Sequence, residues 1–258
     1  MTKARVRVEI AGGVGRVTLA RPEKKNALDS PTIQELVDAL MEFESDDAVR
    51  AVLLKADGDD FCSGVDLDAL AELLDASPEA HRRDAVDLGR VFLTMRGMQK
   101  PIVAAVQGRA VAGGCGLATA CDVLLARDDA QFGYPEVRIG FIPAMVMNML
   151  RRSVGEKHAF DLVASGRIIN ATEAERIGLV SRVLPAAHFE SEVERYVLGL
   201  ASHPMSSMGL TKRLFYRLDL LSFRDGIAEG VVSNDEARQT EAFRTGILSH
   251  TRESEPSQ

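Results

Sequence analysis

The segment Gly108-Arg-Ala-Val-Ala-Gly-Gly-Cys-Gly-Leu-Ala-Thr-Ala-Cys-Asp122 places Gly113, Gly114 and Gly116 within four residues of one another at the head of an apolar run. The short apolar stretch Ile102-Val-Ala-Ala-Val106 just before it reads as a strand, so the glycines mark a passage from strand to helix. Glycine lets a backbone approach a ligand or a neighbouring chain closely. Leu117, Ala118, Ala120 and Cys121 continue as an apolar helix whose first amides have no intrahelical acceptor. An oxyanion developing at the Gly113 N–H would meet a preorganised donor and the positive end of a helix dipole, as stabilising an enolate requires. A small-residue helix packed tightly on a neighbour fits the same glycines, and the cluster alone does not separate the two readings.

The rest of the chain alternates strand and helix signals. Val6, Val8 and Ile10 alternate with charged residues, Gly12-Gly13 turns the chain, and Val17 and Leu19 continue the alternation, which makes a β-hairpin. A polar loop, Arg21-Pro-Glu-Lys-Lys-Asn26, leads to Ser30 and Pro31, which are expected to cap and start a helix with Ile33, Leu36, Val37, Leu40 and Phe43 on its apolar face. Residues 49–55 read as a buried strand, followed by a second glycine turn, Phe61-Cys-Ser-Gly-Val-Asp-Leu67, able to present the Val65 N–H to a cleft. Residues 68–82 read as helical or mobile with a break at Ser77-Pro78, and residues 84–97 form an amphipathic helix. Residues 123–126 form the next strand, and residues 131–136 run extended to the carboxylate of Glu136. Two helical segments flank Gly155, Asn170 and Glu173 open a short helix, and residues 179–184 give a last strand. Helices are expected over 189–201, 204–218 and 223–245, with a disordered polar tail from Ser249. The pattern is that of an α/β fold with a winding sheet.

Composition narrows the partners. With 258 residues, 46% of them hydrophobic, the chain can fill one large core, and a net charge of −7 argues against duplex nucleic acid or an anionic membrane as partner. Five histidines fall in no metal-ligand spacing, and Cys62, Cys115 and Cys121 read as inert, reduced thiols. No metal is implied. The N-terminus has no apolar signal core and no apolar run reaches the length of a membrane span, so the expected location is the cytoplasm.

Several stretches together resemble the crotonase superfamily of enoyl-CoA hydratases and isomerases. They are Arg21-Pro-Glu-Lys-Lys-Asn-Ala-Leu28, Phe61-Cys-Ser-Gly-Val-Asp-Leu67, Pro101-Ile-Val-Ala-Ala-Val-Gln-Gly108, Ala112-Gly-Gly-Cys-Gly116, Ala120-Cys-Asp122, Ala130-Gln-Phe-Gly133 and Pro135-Glu136. Ordered motifs at family spacing are far more specific than any one of them. The resemblance implies a crotonase-like spiral of ββα units over residues 1–196 and a C-terminal helical region, 197–258, that assembles a homotrimer or a dimer of trimers. It further implies an acyl-CoA thioester as substrate, with coenzyme A as part of that substrate and no separate cofactor. The oxyanion hole falls on the N–H groups of Val65 and Gly113, with Glu136 as acid and base. Lys24, Lys25, Ser63, Asp66 and Leu67 fall where the family contacts nucleotide and pantetheine.

One departure bears on the chemistry. Hydratases of this family commonly carry a second glutamate just after the glycine cluster, and here that position is Gly116. A single glutamate can protonate a thioester enolate, but water must then be activated by that same group or by another. Tyr134, two residues before Glu136, would share its face in an extended segment and is a candidate to orient water; a packed aromatic with an ordinary hydrogen bond is the other reading. A plain surface ion pair of Glu136 with Arg138 is the other reading of that carboxylate. The expected activity is hydration of a trans-2-enoyl-CoA. The alternatives are a Δ3-Δ2 enoyl-CoA isomerase, for which one glutamate suffices, and an RNA-binding or lapsed non-catalytic member.

Overall fold

The computed structural model describes residues 4–253. The N-terminal alternation forms the expected hairpin, β1 (Val6–Ala11) and β2 (Val14–Leu19), turned through Gly12 and Gly13, both at positive φ. Then come β3 (Ala51–Ala56), β4 (Ile102–Val106), β5 (Arg109–Val111), β6 (Val123–Arg127), β7 (Gln131–Gly133), β8 (Ile168–Asn170) and β9 (Arg182–Leu184). A six-stranded sheet runs β1-β2-β3-β4-β6-β9, antiparallel in the hairpin and parallel elsewhere. A smaller sheet runs β5-β7-β8. The fold is the α/β class expected.

Parallel strands covered on both faces must be apolar on both, which is why β3 and β4 read as unbroken hydrophobic runs rather than alternations. One face, with Val52, Leu54, Ile102 and Ala104, joins the main core with α1 (Ser30–Ser45). The first turn after β3 leads to α2 (Leu67–Glu72), and α3 (Pro78–Gly97) packs against α1. The other face, with Ala51, Leu53, Val103 and Ala105, is covered by a helix close to the C-terminal part of the chain. The helices between are α4 (Gly113–Ala120), α5 (Val146–Ser165), broken at Gly155 as expected, and α6 (Ala171–Arg176), capped by Asn170. The covering helix is α7 (Phe189–Ser202), which buries Phe189, Val193, Val197 and Ala201.

Local chemistry moves several expected boundaries. Asp29, not Ser30, caps α1, because its carboxylate accepts from Thr32 N at 2.9 Å and Thr32 Oγ1 at 2.5 Å. Ser77-Pro78 starts α3 instead of breaking a helix: Ser77 Oγ accepts from Ala80 N and Pro78 takes the first turn, where a missing N–H costs nothing. The expected 223–245 helix is two, α9 (Phe223–Arg238) and α10 (Glu241–Glu253), and the start of the expected disordered tail is helical up to Glu253. Residues 254–258 lie outside the described ones.

The division expected between residues 196 and 197 falls inside α7, whose burial on the sheet makes it part of the core. The helical arm begins after His203, with α8 (Met205–Arg217) followed by α9 and α10. Its tie to the core is polar. Lys212 on α8, 6% exposed, donates to Asp122 Oδ2 at 2.7 Å and to the carbonyls of Met95 and Lys100 at 3.0 Å each. Tyr216 OH donates to Asp122 Oδ1 at 2.6 Å, and Ile102 N donates to Oδ2 at 2.7 Å. Asp122 thus pins the start of β4 and the arm with one carboxylate.

Removing the cation takes the charge partner from a half-buried carboxylate, which keeps only Tyr216 OH and Ile102 N, and the donor from two carbonyls. Lys212→Ala is expected to cost about 3–5 kcal/mol of stability, the range for breaking a buried pair from one side. A urea midpoint within error of the parent protein would show the tie to be dispensable.

Candidate active site

Two chain segments meet in a backbone contact. The turn after β3 pairs with β5: Cys62 N donates to Arg109 O and Val111 N donates to Cys62 O, both at 3.0 Å. Beyond β5 the chain must swing at once into α4, and it does so at Ala112, a non-glycine residue at φ 51° and ψ −130°. Such a conformation stores of order 1–3 kcal/mol. Ala112 is held there by its N–H on Gly133 O (2.8 Å) and its carbonyl accepting from Gly116 N (3.0 Å). A Cβ added at Gly114 would overlap the Cys62 carbonyl, and one at Gly64, at φ 93°, would lie 2.9 Å from Ala112 Cβ. These two glycines are therefore what lets the segments touch.

The consequence is a pair of convergent donors. The Val65 N lies 3.6 Å from where a Gly113 Cβ would stand, and neither the Val65 N–H nor the Gly113 N–H has an acceptor among the described residues. Gly113 is the first residue of α4, so the positive end of an eight-residue helix without a charged side chain backs the pair.

Glu136 faces the same cavity, of about 550 Å³, whose walls include Val65, Gly113, Leu88, Met145 and Val146. The segment carrying it is not extended. After β7, Pro135–Ile139 form a 3-10 turn closed by Gly140 in the left-handed region, so the alternation that would pair Tyr134 with Glu136 is broken. Glu136 is 8% exposed and its Oε2 has no hydrogen-bond partner among the described residues. Burial pushes its carboxyl above the usual range, offset only in part by its own backbone N–H. It makes no ion pair with Arg138 among the described residues.

Lys24, Lys25, Ser63, Asp66 and Leu67 also line this cavity. Lys24 is paired with Asp68 at 2.6 Å, while Leu67, 67% exposed, stands as an apolar edge. Asp66 has structural work as well: it caps α2 through Asp68 N and meets Arg21, which also binds Asp29 at 3.0 Å. Two expected residues are not in the cavity. Tyr134 is buried behind it with its hydroxyl 2.8 Å from Thr119 Oγ1, the packed aromatic of the second reading, and orients nothing at Glu136. Gly116 faces Val146, whose Cγ1 occupies the place a side chain there would take. Val146 and Met145, supplied by the start of α5 and the turn before it, are the wall residues that sequence reasoning missed.

Comparison with known proteins gives the family. The family model for enoyl-CoA hydratase/isomerase matches residues 9–250. A putative enoyl-CoA hydratase of Thermus thermophilus is 39% identical over 236 residues, 92% of this chain and 93% of that protein. A short-chain-enoyl-CoA hydratase of Clostridium acetobutylicum is 33% identical over 81% of this chain and 80% of that one. The enoyl-CoA hydratase structure from Mycobacterium smegmatis superposes with a TM-score of 0.93 at 28% identity, covering 99% of both chains. The chain therefore belongs to the enoyl-CoA hydratase/isomerase family, the crotonase superfamily, as its motifs indicated.

Val146 makes Gly116 untouchable on its own. Gly116→Glu is expected to lower the melting temperature, since a β-branched neighbour cannot swing aside and the new carboxylate would be buried without a partner. Adding Val146→Ala should recover much of that loss. Equal melting temperatures for the parent and Gly116→Glu would show that α5 yields freely.

Proposed function

We propose that this protein is an enoyl-CoA hydratase acting on a trans-2-enoyl-CoA, with Val65 and Gly113 holding the thioester oxygen and Glu136 as the only acid and base. The observation that carries the reading is the convergence, in one cavity, of two N–H groups free of acceptors and a buried carboxylate with an unpartnered oxygen. The thioester oxygen gains charge as water adds to C3, so donors fixed beforehand favour that state over the ground state. Glu136 takes a proton from the attacking water and returns one to C2, which leaves the enzyme unchanged after one turn. Its raised pKa suits both halves of that cycle. Lys25 and Lys24 at the cavity edge are placed for the anionic part of coenzyme A. The chemistry needs no cofactor beyond the substrate's own coenzyme A, and the proposed location is the cytoplasm. No helix among the described residues is long and apolar enough to cross a membrane.

A specific observation favours a second reading, isomerisation of a 3-enoyl-CoA. The other carboxylates on the cavity, Asp66 and Asp68, are engaged with Arg21 and Lys24, and Val146 fills the space at Gly116. One base moving one proton between two carbons is all an isomerase requires. The names of the relatives weigh toward hydration.

Glu136→Gln separates role from shape. Turnover of crotonyl-CoA is expected to fall ~100- to 10,000-fold, the usual worth of a placed acid or base. In the parent protein the acid limb of kcat/KM should lie above the ordinary glutamate value of about 4.3. Stability should move the other way. A carboxyl whose pKa is raised in the folded state binds more protons folded than unfolded, so its ionisation weakens folding as pH rises through the folded pKa. The glutamine variant should therefore be at least as stable as its parent at pH 8, with the advantage gone below about pH 4. Parent protein that converts a 3-enoyl-CoA far faster than it hydrates crotonyl-CoA would overturn hydration in favour of the second reading.

The helical arm is proposed to join copies of this chain as a trimer or a dimer of trimers. None of the residues of α9 is buried, and Phe223, Ile227 and Val231 recur on one side of it, Phe223 being 88% exposed. An apolar stripe of this kind needs a partner surface. Light scattering at micromolar concentration is expected to give at least three times the chain mass, and a monodisperse monomer would remove the proposal.

A further inference from the structure

Behind the catalytic cavity lies a second compartment of about 610 Å³ that shares two wall residues with it, Ala144 and Met145. Its buried walls include Phe92 and Met149, with Leu93 exposed at its mouth. Its outer end is polar and already satisfied: Arg96 and Arg152 both pair with Asp219, so nothing there calls for a charged ligand. Met145 stands between the two spaces. It is half-buried, and its sulfur lies 3.4 Å from where a Cβ on Gly89 would be, so a position without a side chain on α3 gives it room.

Resting on the hydratase reading, we propose that Met145 is a movable partition and that the enzyme takes medium-chain 2-enoyl thioesters, whose tails displace it and fill the second compartment. The thioester end is fixed at Val65, Gly113 and Glu136, so chain length is added on the far side of the reacting carbons. Leu88 and Val146 close the rest of that wall, both buried in the core. Methionine is unbranched and polarisable, and its rotamers interconvert with little loss of contact. Each methylene moved from water to an apolar wall is worth roughly a fourfold gain in affinity, so two or three added carbons outweigh a rotamer change. A β-branched residue at the same place has one strongly preferred χ1 and would hold the partition shut.

The test separates tail binding from catalysis by using unreactive saturated thioesters beside the reactive ones. In the parent protein, decanoyl-CoA is expected to bind about tenfold or more tighter than butyryl-CoA by calorimetry. The ratio of kcat/KM for trans-2-decenoyl-CoA to that for crotonyl-CoA should rise in Met145→Ala and fall in Met145→Ile. Leu93→Trp, a change at an exposed position bordering only the second compartment, should lower the same ratio. Ratios cancel any loss common to both substrates. Equal affinity of the parent for the two saturated thioesters, or ratios unmoved by all three substitutions, would overturn the proposal. No turnover of either enoyl-CoA, with the tenfold binding preference intact, would overturn the hydratase reading and leave the tail site standing.

Discussion

A single backbone contact, the one between the turn at Cys62 and the start of α4, governs the arrangement of everything around it. Two amides from distant parts of the chain can converge on one oxygen only if their main chains run side by side with no side chain between them. The parallel pairing of Cys62 with Ala110 sets the register, Gly64 and Gly114 remove the atoms that would collide, and Ala112 accepts a strained angle to aim the helix. The strain is supported by hydrogen bonds on both sides of the residue, one into β7 and one into α4 itself. The small sheet β5-β7-β8 thus does more than its three short strands suggest, because it holds both the donor side and the approach to Glu136.

The six-stranded sheet supplies what that contact leans on. β3 and β4 lie next to each other; the turn at Cys62 follows β3, and the short strand β5 carries the chain from β4 to the start of α4. Apolar cover on both faces makes this pair the least yielding part of the molecule, while the polar tie through Asp122 and Lys212 fixes the helical arm to the same strand. A hydrophobic contact at that place would stabilise as well, yet it would permit sliding. The carboxylate with three donors on it specifies one position.

Much of this was legible in the chain. The hairpin, β3, β4 and β6 announced themselves by alternation or by unbroken apolar runs, and the glycine turns by composition. Val65 and Gly113 followed from turn and helix position, and the family motif placed Glu136 in the site. The misses have physical reasons. β5 and β8 are three residues long, too short to show a period, so the passage from β4 to α4 seemed direct when a strand intervenes. Pro135 was read as keeping its neighbours extended, but Gly140 closes a 3-10 turn behind it, and Tyr134 then points into the core. Gln239 and Thr240 divide α9 from α10 without glycine or proline to mark the place. The filling of the space at Gly116 by Val146 is a tertiary fact, thirty positions apart in the chain, and no local pattern carries it.

If Glu136 is the acid and base, as proposed, its placement also decides handedness. In the proposed hydration the amide pair holds the thioester oxygen and the wall of Leu88, Met145 and Val146 is apolar, so the enoyl plane would present one side to Glu136. Whatever that group delivers, hydroxyl to C3 or proton to C2, arrives from that side. Addition across the double bond is then syn, and the configuration at C3 is set by which side of the plane the bound thioester turns toward the glutamate.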